Sequence, residues 1–159
     1  MSEQYREFYD AYKHKLFSYL IYKSGDYEVS RDIMQESFTR HFQHYGHDAV
    51  ISPSLLFTIA RNVLVDHLRQ EKKFKGVEGV IPQVVNDQEN ILIAKEDNRM
   101  AYKAMSRLSE EDRDVLSLAV GGVAYKEIAA TLGLSVANVK VRVHRTRIKL
   151  RQMIQEELE

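Results

Sequence analysis

The 159-residue chain contains no cysteine, which excludes disulfides, cysteine-ligated zinc and cysteine nucleophiles. Proline occurs only at Pro53 and Pro82, and the seven glycines mostly punctuate periodic segments instead of interrupting them. No apolar run approaches the roughly 20 residues a membrane span needs. The opening residues, MSEQYREFYD, carry no signal-peptide core, so membrane insertion is not expected. No segment sustains two-residue alternation, so the chain reads as all-α. Paired carboxylates, a nucleophile constellation and a glycine-rich phosphate loop are all missing, so neither enzymatic activity nor a cofactor is expected. Net charge is missing as well: 23 Lys and Arg balance 23 Asp and Glu. Taken as a sum, that balance argues against a nucleic-acid partner. What is present, 44% hydrophobic and 29% charged residues, suits a folded soluble protein of one ordinary domain or two small ones.

Resolved along the chain, the neutrality is a cancellation. Residues 1–50 carry a net charge of −2, residues 51–75 +3, residues 76–114 −4, residues 115–155 +6 and the last four residues −3. Two basic blocks therefore alternate with acidic stretches. The second block is dense, with Lys140, Arg142, Arg145, Arg147, Lys149 and Arg151 inside twelve positions. A solvated helix face explains such a run as readily as a nucleic-acid surface does, and the surrounding pattern has to decide.

Apolar residues from Tyr5 to Lys23 recur at helical spacing, and Ser24-Gly25 stops them. A second helix is expected from about Asp26 to Tyr45, with Val29, Ile33, Phe38 and Phe42 on its buried side. Ser52-Pro53 opens a third, whose stripe is Leu55, Leu56, Ile59, Val63, Leu64 and Leu68 and whose end is the basic Lys72 to Lys75. The segment from Lys75 to Glu89 has two glycines, Pro82 and weak periodicity, the pattern of an interdomain linker. A helix is expected to resume near Gln88 and run to Leu108. Ser109 then caps another, with Glu110, Glu111 and Asp112 in a first turn that complements the helix dipole. Gly121-Gly122 ends it. The fold expected is two small helical domains, 1–75 and 91–159, joined by a flexible linker over 76–90.

Residues Tyr125 to Ser135, YKEIAATLGLS, fit the first helix and turn of a helix-turn-helix. Ala129 is the small residue two steeply crossing helices need, and Gly133 tolerates the positive φ of the tight turn. Ser135 caps the next helix, which is expected to bury Val139, Val143, Thr146, Leu150 and Met153. Its other face presents Lys140, Val141, His144, Arg145, Ile148 and Arg151. A basic helix introduced by such a turn is the arrangement whose N-terminal half enters the major groove. Lys140 and Arg145 can reach either bases or phosphates, Arg142 and Arg147 are placed as phosphate clamps, and Val141 offers only apolar contact.

The run from Leu108 to Arg151 resembles region 4 of the group 4, or extracytoplasmic function (ECF), sigma factors of the sigma-70 family. DIMQESFTRHF (Asp32–Phe42) and LLFTIARNVLVDHLRQEKK (Leu55–Lys73) resemble region 2 of the same family. The order and spacing of these pieces carry more weight than the helix-turn-helix alone. The resemblance implies an alternative sigma factor, cytoplasmic, that binds core RNA polymerase and directs promoter-specific initiation without being an enzyme. It implies docking of Gln35, Glu36 and Phe38 on the β′ clamp helices, with the β flap as a further contact. Arg40, Arg61 and Asn62 correspond to −10 contacts. Lys140, Val141, Arg142, His144, Arg145 and Arg147 correspond to the −35 surface. Asp66 and Arg69 fit a family D-x-x-R spacing that a local salt bridge also explains. Leu55 stands where relatives usually carry Trp. Promoter DNA and an anti-sigma factor are the further partners implied.

Two other readings compete. Residues 1–75 could be a helical sensing or dimerising domain attached to a conventional helix-turn-helix regulator, or the whole chain a scaffold that sequesters another factor. His41, His44 and His47 invite a metal reading, but steps of three drift around a helix and no carboxylate completes the set. No metal is expected, and the series reads as an exposed helix end.

Overall fold

A computed structural model describes residues 2–75 and 96–158, with side chains described over 2–73 and 100–158. The described residues form seven helices, and none is long and apolar enough to cross a membrane. Helix α1 spans Glu3–Ser24, and Ser2 accepts a capping hydrogen bond from the Tyr5 backbone N–H. It stops at Gly25, whose φ of 70° is left-handed. A Cβ there would collide with the Tyr102 hydroxyl, so glycine is required by both backbone and neighbour. Helix α2 spans Tyr27–Tyr45 with Asp26 as its cap, and α3 spans Pro53–Lys75, with proline at the first helical position. Helices α4 (Glu96–Ser106), α5 (Glu110–Val120), α6 (Tyr125–Leu132) and α7 (Val136–Leu158) follow. The linker expected over 76–90 and the helix start expected near Gln88 lie outside the described residues; the described part of that helix begins at Glu96.

The apolar core runs across the boundary between the two expected domains. One contiguous apolar cluster takes Tyr5, Phe8, Leu16, Tyr19 and Leu20 from α1, and Leu56, Phe57, Ala60 and Leu64 from α3. It continues through Val115 and Leu118 of α5, Ile128 and Ala129 of α6, and Val139 and Val143 of α7. Helix α1 packs on both α2 and α5, and α3 packs on both α2 and α6. Each fully buried Leu or Phe contributes about 1.5–3 kcal/mol, so the seam between the two expected domains is stabilised by the same burial as the domains themselves. A smaller cluster of Met105, Leu108 and Leu116, joined by Tyr22, Leu150 and Met153, ties α4, α5 and α7 to the end of α1.

Candidate nucleic-acid interface

The turn before α7 is built as its sequence requires. Gly133 has a φ of 69° and closes α6 through its N–H to the Ala129 carbonyl. Ser135 Oγ accepts from the Asn138 N–H at 3.0 Å, satisfying one of the free donors at the start of α7. Val139, Val143 and Thr146 are buried, and the Thr146 hydroxyl donates to the Arg142 carbonyl. Leu150 and Met153 are half-buried. That anchoring turns Lys140, Val141, His144, Arg145 and Arg147 outward, and all five are exposed. Arg142 behaves differently. Its Nη2 lies 3.1 Å from Glu111, its Nη1 3.7 Å from Asp112 and its Nε 2.9 Å from Asn138 Oδ1. The guanidinium lies against the acidic first turn of α5, apart from the outward-facing row.

On the N-terminal half, α3 presents Asn62 exposed and Arg61 half-buried, and α2 presents Gln35, Glu36 and Arg40 exposed. Arg40 Nη2 donates to Glu36 Oε1 at 2.6 Å, an i,i+4 pair that stabilises α2 only modestly. Asp66 and Arg69 are both exposed on α3. Phe38 lies apart from these exposed residues. It is 6% exposed, with its ring 4.7 Å from Tyr9 and 6.4 Å from Phe8, so it holds α2 against α1.

His41 also departs from expectation. It is fully buried, stacked on Phe8 with ring centroids 5.1 Å apart. Its Nδ1 lies 2.9 Å from the Tyr5 hydroxyl and its Nε2 3.2 Å from the Ser52 carbonyl. Burial pushes the imidazole below its ordinary pKa of 6.5 and the Tyr5 phenol up to about 12, because each charged form would lose its water. His44 and His47 are exposed. The series is therefore split between core and surface, and no group of three metal-ligating side chains occurs among the described residues.

Residues 98–150 match the family described as sigma-70, region 4. The ECF RNA polymerase sigma factor SigL of Mycobacterium tuberculosis strain H37Rv is 30% identical over 158 residues, covering 95% of this chain and 89% of SigL. The chain belongs to the ECF RNA polymerase sigma factors. SigM of Bacillus subtilis, of the same family, is 27% identical over 156 residues, covering 92% of this chain and 93% of SigM. The fold is also that of the sigma factor RpoE from Bartonella quintana, solved in complex with the anti-sigma factor NepR. That chain superposes with a TM-score of 0.73 at 21% identity, covering 97% of this chain and 98% of RpoE. Similarity to sigma factors runs through both halves, which removes the sensing-domain reading of residues 1–75 and the scaffold reading with it.

The sigma factor holds one polar cluster that the sequence did not single out, and it lies on the seam. Asp114 of α5 is 2% exposed. Its carboxylate accepts from the Tyr19 hydroxyl at 3.0 Å and from Arg61 Nε at 3.1 Å, and it pairs with Lys23 Nζ at 2.9 Å. Lys23, itself 5% exposed, also pairs with Glu110. Burial opposes the Arg61 charge, yet the Asp114 carboxylate beside it holds the guanidinium pKa above its ordinary value. Nearby, Arg113 reaches from α5 to the last carbonyls of α1, donating to Tyr22 O at 2.7 Å and Lys23 O at 3.1 Å. These carbonyls have no partner within the helix. A signal for the cluster does exist in the sequence. Lys23 continues the stripe of Leu16, Tyr19 and Leu20, and Asp114 stands four residues before Leu118, so each is a charge on an apolar face.

Proposed function

We propose that this sigma factor binds core RNA polymerase and directs it to promoters by recognising a −35 element with α7 and a −10 element with α2 and α3. The observation that carries the reading is the outward row Lys140, Val141, His144, Arg145 and Arg147, set on a helix whose opposite side is locked into the core. A rigid basic helix capped at its start by Ser135 suits the major groove, where arginine and lysine read guanine and also hold phosphates. Arg40, Arg61 and Asn62 serve the −10 strand, where an unstacked base gains hydrogen bonds that offset its lost stacking. Gln35 and Glu36 on the exposed side of α2 dock on the β′ clamp helices, and region 4 meets the β flap. The sigma factor acts in the cytoplasm as a non-enzymatic specificity subunit; an anti-sigma factor, such as the one in the RpoE complex, restrains it.

Run-off transcription with core polymerase across a promoter library tests the proposal. Discrete transcripts that share −35 and −10 sequences are expected. The absence of both core binding and transcripts would sink it. Arg145→Ala is expected to weaken −35 recognition by about 1–3 kcal/mol if the guanidinium reads a base, seen as loss of preference at one position of the element.

A further inference from the structure

We propose that the acidic start of α5 is an intramolecular latch that occupies a DNA-contact residue of the other half. Asp114 is its hub and Arg61 the residue it withholds. The inference rests on the reading of Arg61 as a −10 contact. All three partners of the Asp114 carboxylate come from across the seam: Tyr19 and Lys23 from α1, and Arg61 from α3. Among the described residues no side chain of α4 to α7 pairs with this carboxylate, so the buried anion depends on partners that it has while the halves are closed. The pairing it makes with Arg61 is the one a phosphate would make, a charge-assisted hydrogen bond from guanidinium to an anionic oxygen. Arg61 cannot serve both anions through the same Nε.

The surroundings suit exchange more than permanence. A cleft of about 280 Å³ opens beside the pair, lined by Arg61, Glu110, Glu111, Asp114, Leu132 and Leu134. The Arg61 side chain keeps 42% exposure within the pair, and Glu110 keeps 74%. A buried ion pair gains little net free energy over its solvated partners, so a competing anion on Arg61 shifts the balance. Transfer of Arg61 to DNA leaves Asp114 with fewer compensating donors and favours separation of the halves. Separation in turn frees Arg61 for DNA. The two equilibria are linked and act reciprocally. The acidic turn also holds Arg142 through Glu111 and Asp112, but that pairing lies within the C-terminal half and survives opening.

The absence of cysteine allows spin labels at two introduced sites, His44→Cys on α2 and Gln152→Cys on α7, both exposed positions. Distance distributions between them report closure in the full chain without DNA or polymerase. Asp114→Asn is the primary variant. Glu110→Gln weakens the same cluster from its exposed rim, where misfolding is not at issue, and decides the question by the same criteria if Asp114→Asn does not fold. Glu111→Gln removes an equal charge next door without touching the seam pairs. Binding is read with a fluorescein-labelled single-stranded DNA of mixed sequence. Asp114→Asn is expected to lengthen and broaden the distances and to tighten binding by about tenfold, the gain expected when a state populated at one part in ten becomes dominant. Its salt dependence should steepen by about 0.7 in log–log slope, one more phosphate on a single strand. Glu111→Gln should leave distances unchanged, and because Arg142 keeps Asp112 and Asn138 as partners, its affinity gain should fall well short of tenfold. Unchanged distances in both seam variants overturn the latch. So does an affinity gain no larger than that of Glu111→Gln. Failure of the wild-type chain to bind core polymerase would sink the sigma reading instead, and the distances would still stand as a measure of closure.

Discussion

Two of the polar clusters buried among the described residues are built from opposite chemistry. The first joins Tyr5, His41 and the Ser52 carbonyl inside the N-terminal half. It is neutral, and burial of His41 and Tyr5 raises the cost of charging either one. The second joins Lys23, Asp114 and Arg61 across the seam, and it is ionic. A neutral hydrogen-bonded set costs little to desolvate and is lost only when the half around it unfolds. An ionic set costs much to desolvate, and water or another anion can take the place of its partners once the surfaces part. The chemistry tracks the work: permanence within a half, and exchange between halves.

Three substitutions would break or sharpen that contrast. The largest effect is expected for Asp114→Ala, which leaves Lys23 buried with only the rim carboxylate of Glu110. Removing one member of a buried ionic set costs about 3 kcal/mol, and the loss is limited by the free energy of opening, because Lys23 regains water once the halves separate. The urea midpoint should fall, and the unfolding transition should split if the halves then melt independently. A single transition at an unchanged midpoint would show that the seam does not depend on its charges.

Tyr5→Phe should cost less, about 1–2 kcal/mol, since it leaves His41 Nδ1 buried without its partner. That loss should appear in the transition of the N-terminal half and leave label distances across the seam unchanged. The smallest effect is expected from pH. The folded pKa of His41 lies below its ordinary 6.5, so the unfolded chain takes up a proton first as pH falls. The His41 contribution is therefore fully present above about pH 6.5 and is lost as pH drops through and below that value. Urea midpoints at about pH 7.5 and 5.5 should differ less in His41→Gln than in the wild type. An equal difference would assign the acid sensitivity to other groups.

The helices and their ends were legible in the sequence because they rest on local rules. Ser109 and Ser135 cap, Gly25 and Gly133 turn, and the α7 stripe of Val139, Val143 and Thr146 is buried at the spacing expected. The outward row of α7 follows from the same periodicity. The seam was not legible, because periodicity tells which face of a helix is buried and not against which partner. The second half of α1 buries Tyr19, Leu20 and Ile21, and nothing in that stripe names α5 as the element that covers part of it. Phe38 and His41 show the same limit from another side. The resemblance assigns Phe38 to a docking surface, while its spacing on α2 puts it inside, and burial follows the spacing. His41 stands one turn after Ser37, another buried position of α2, which separates it from His44 and His47.

Helix α1 is about 33 Å long at 1.5 Å per residue. Its first turns pack Tyr5 and Phe8 against α2, while its end gives Tyr19, Lys23 and the Tyr22 carbonyl to α5. A single rod thus belongs to two neighbourhoods, and its last two turns share their fate with residues some ninety positions away. Recombination between relatives feels this directly. A hybrid joined anywhere between α3 and α4 would set one parent's Lys23 and Gly25 against the other parent's Asp114 and Tyr102. For a module exchange to keep this contact, the end of the first helix has to travel with the C-terminal half, although the chain between them is continuous.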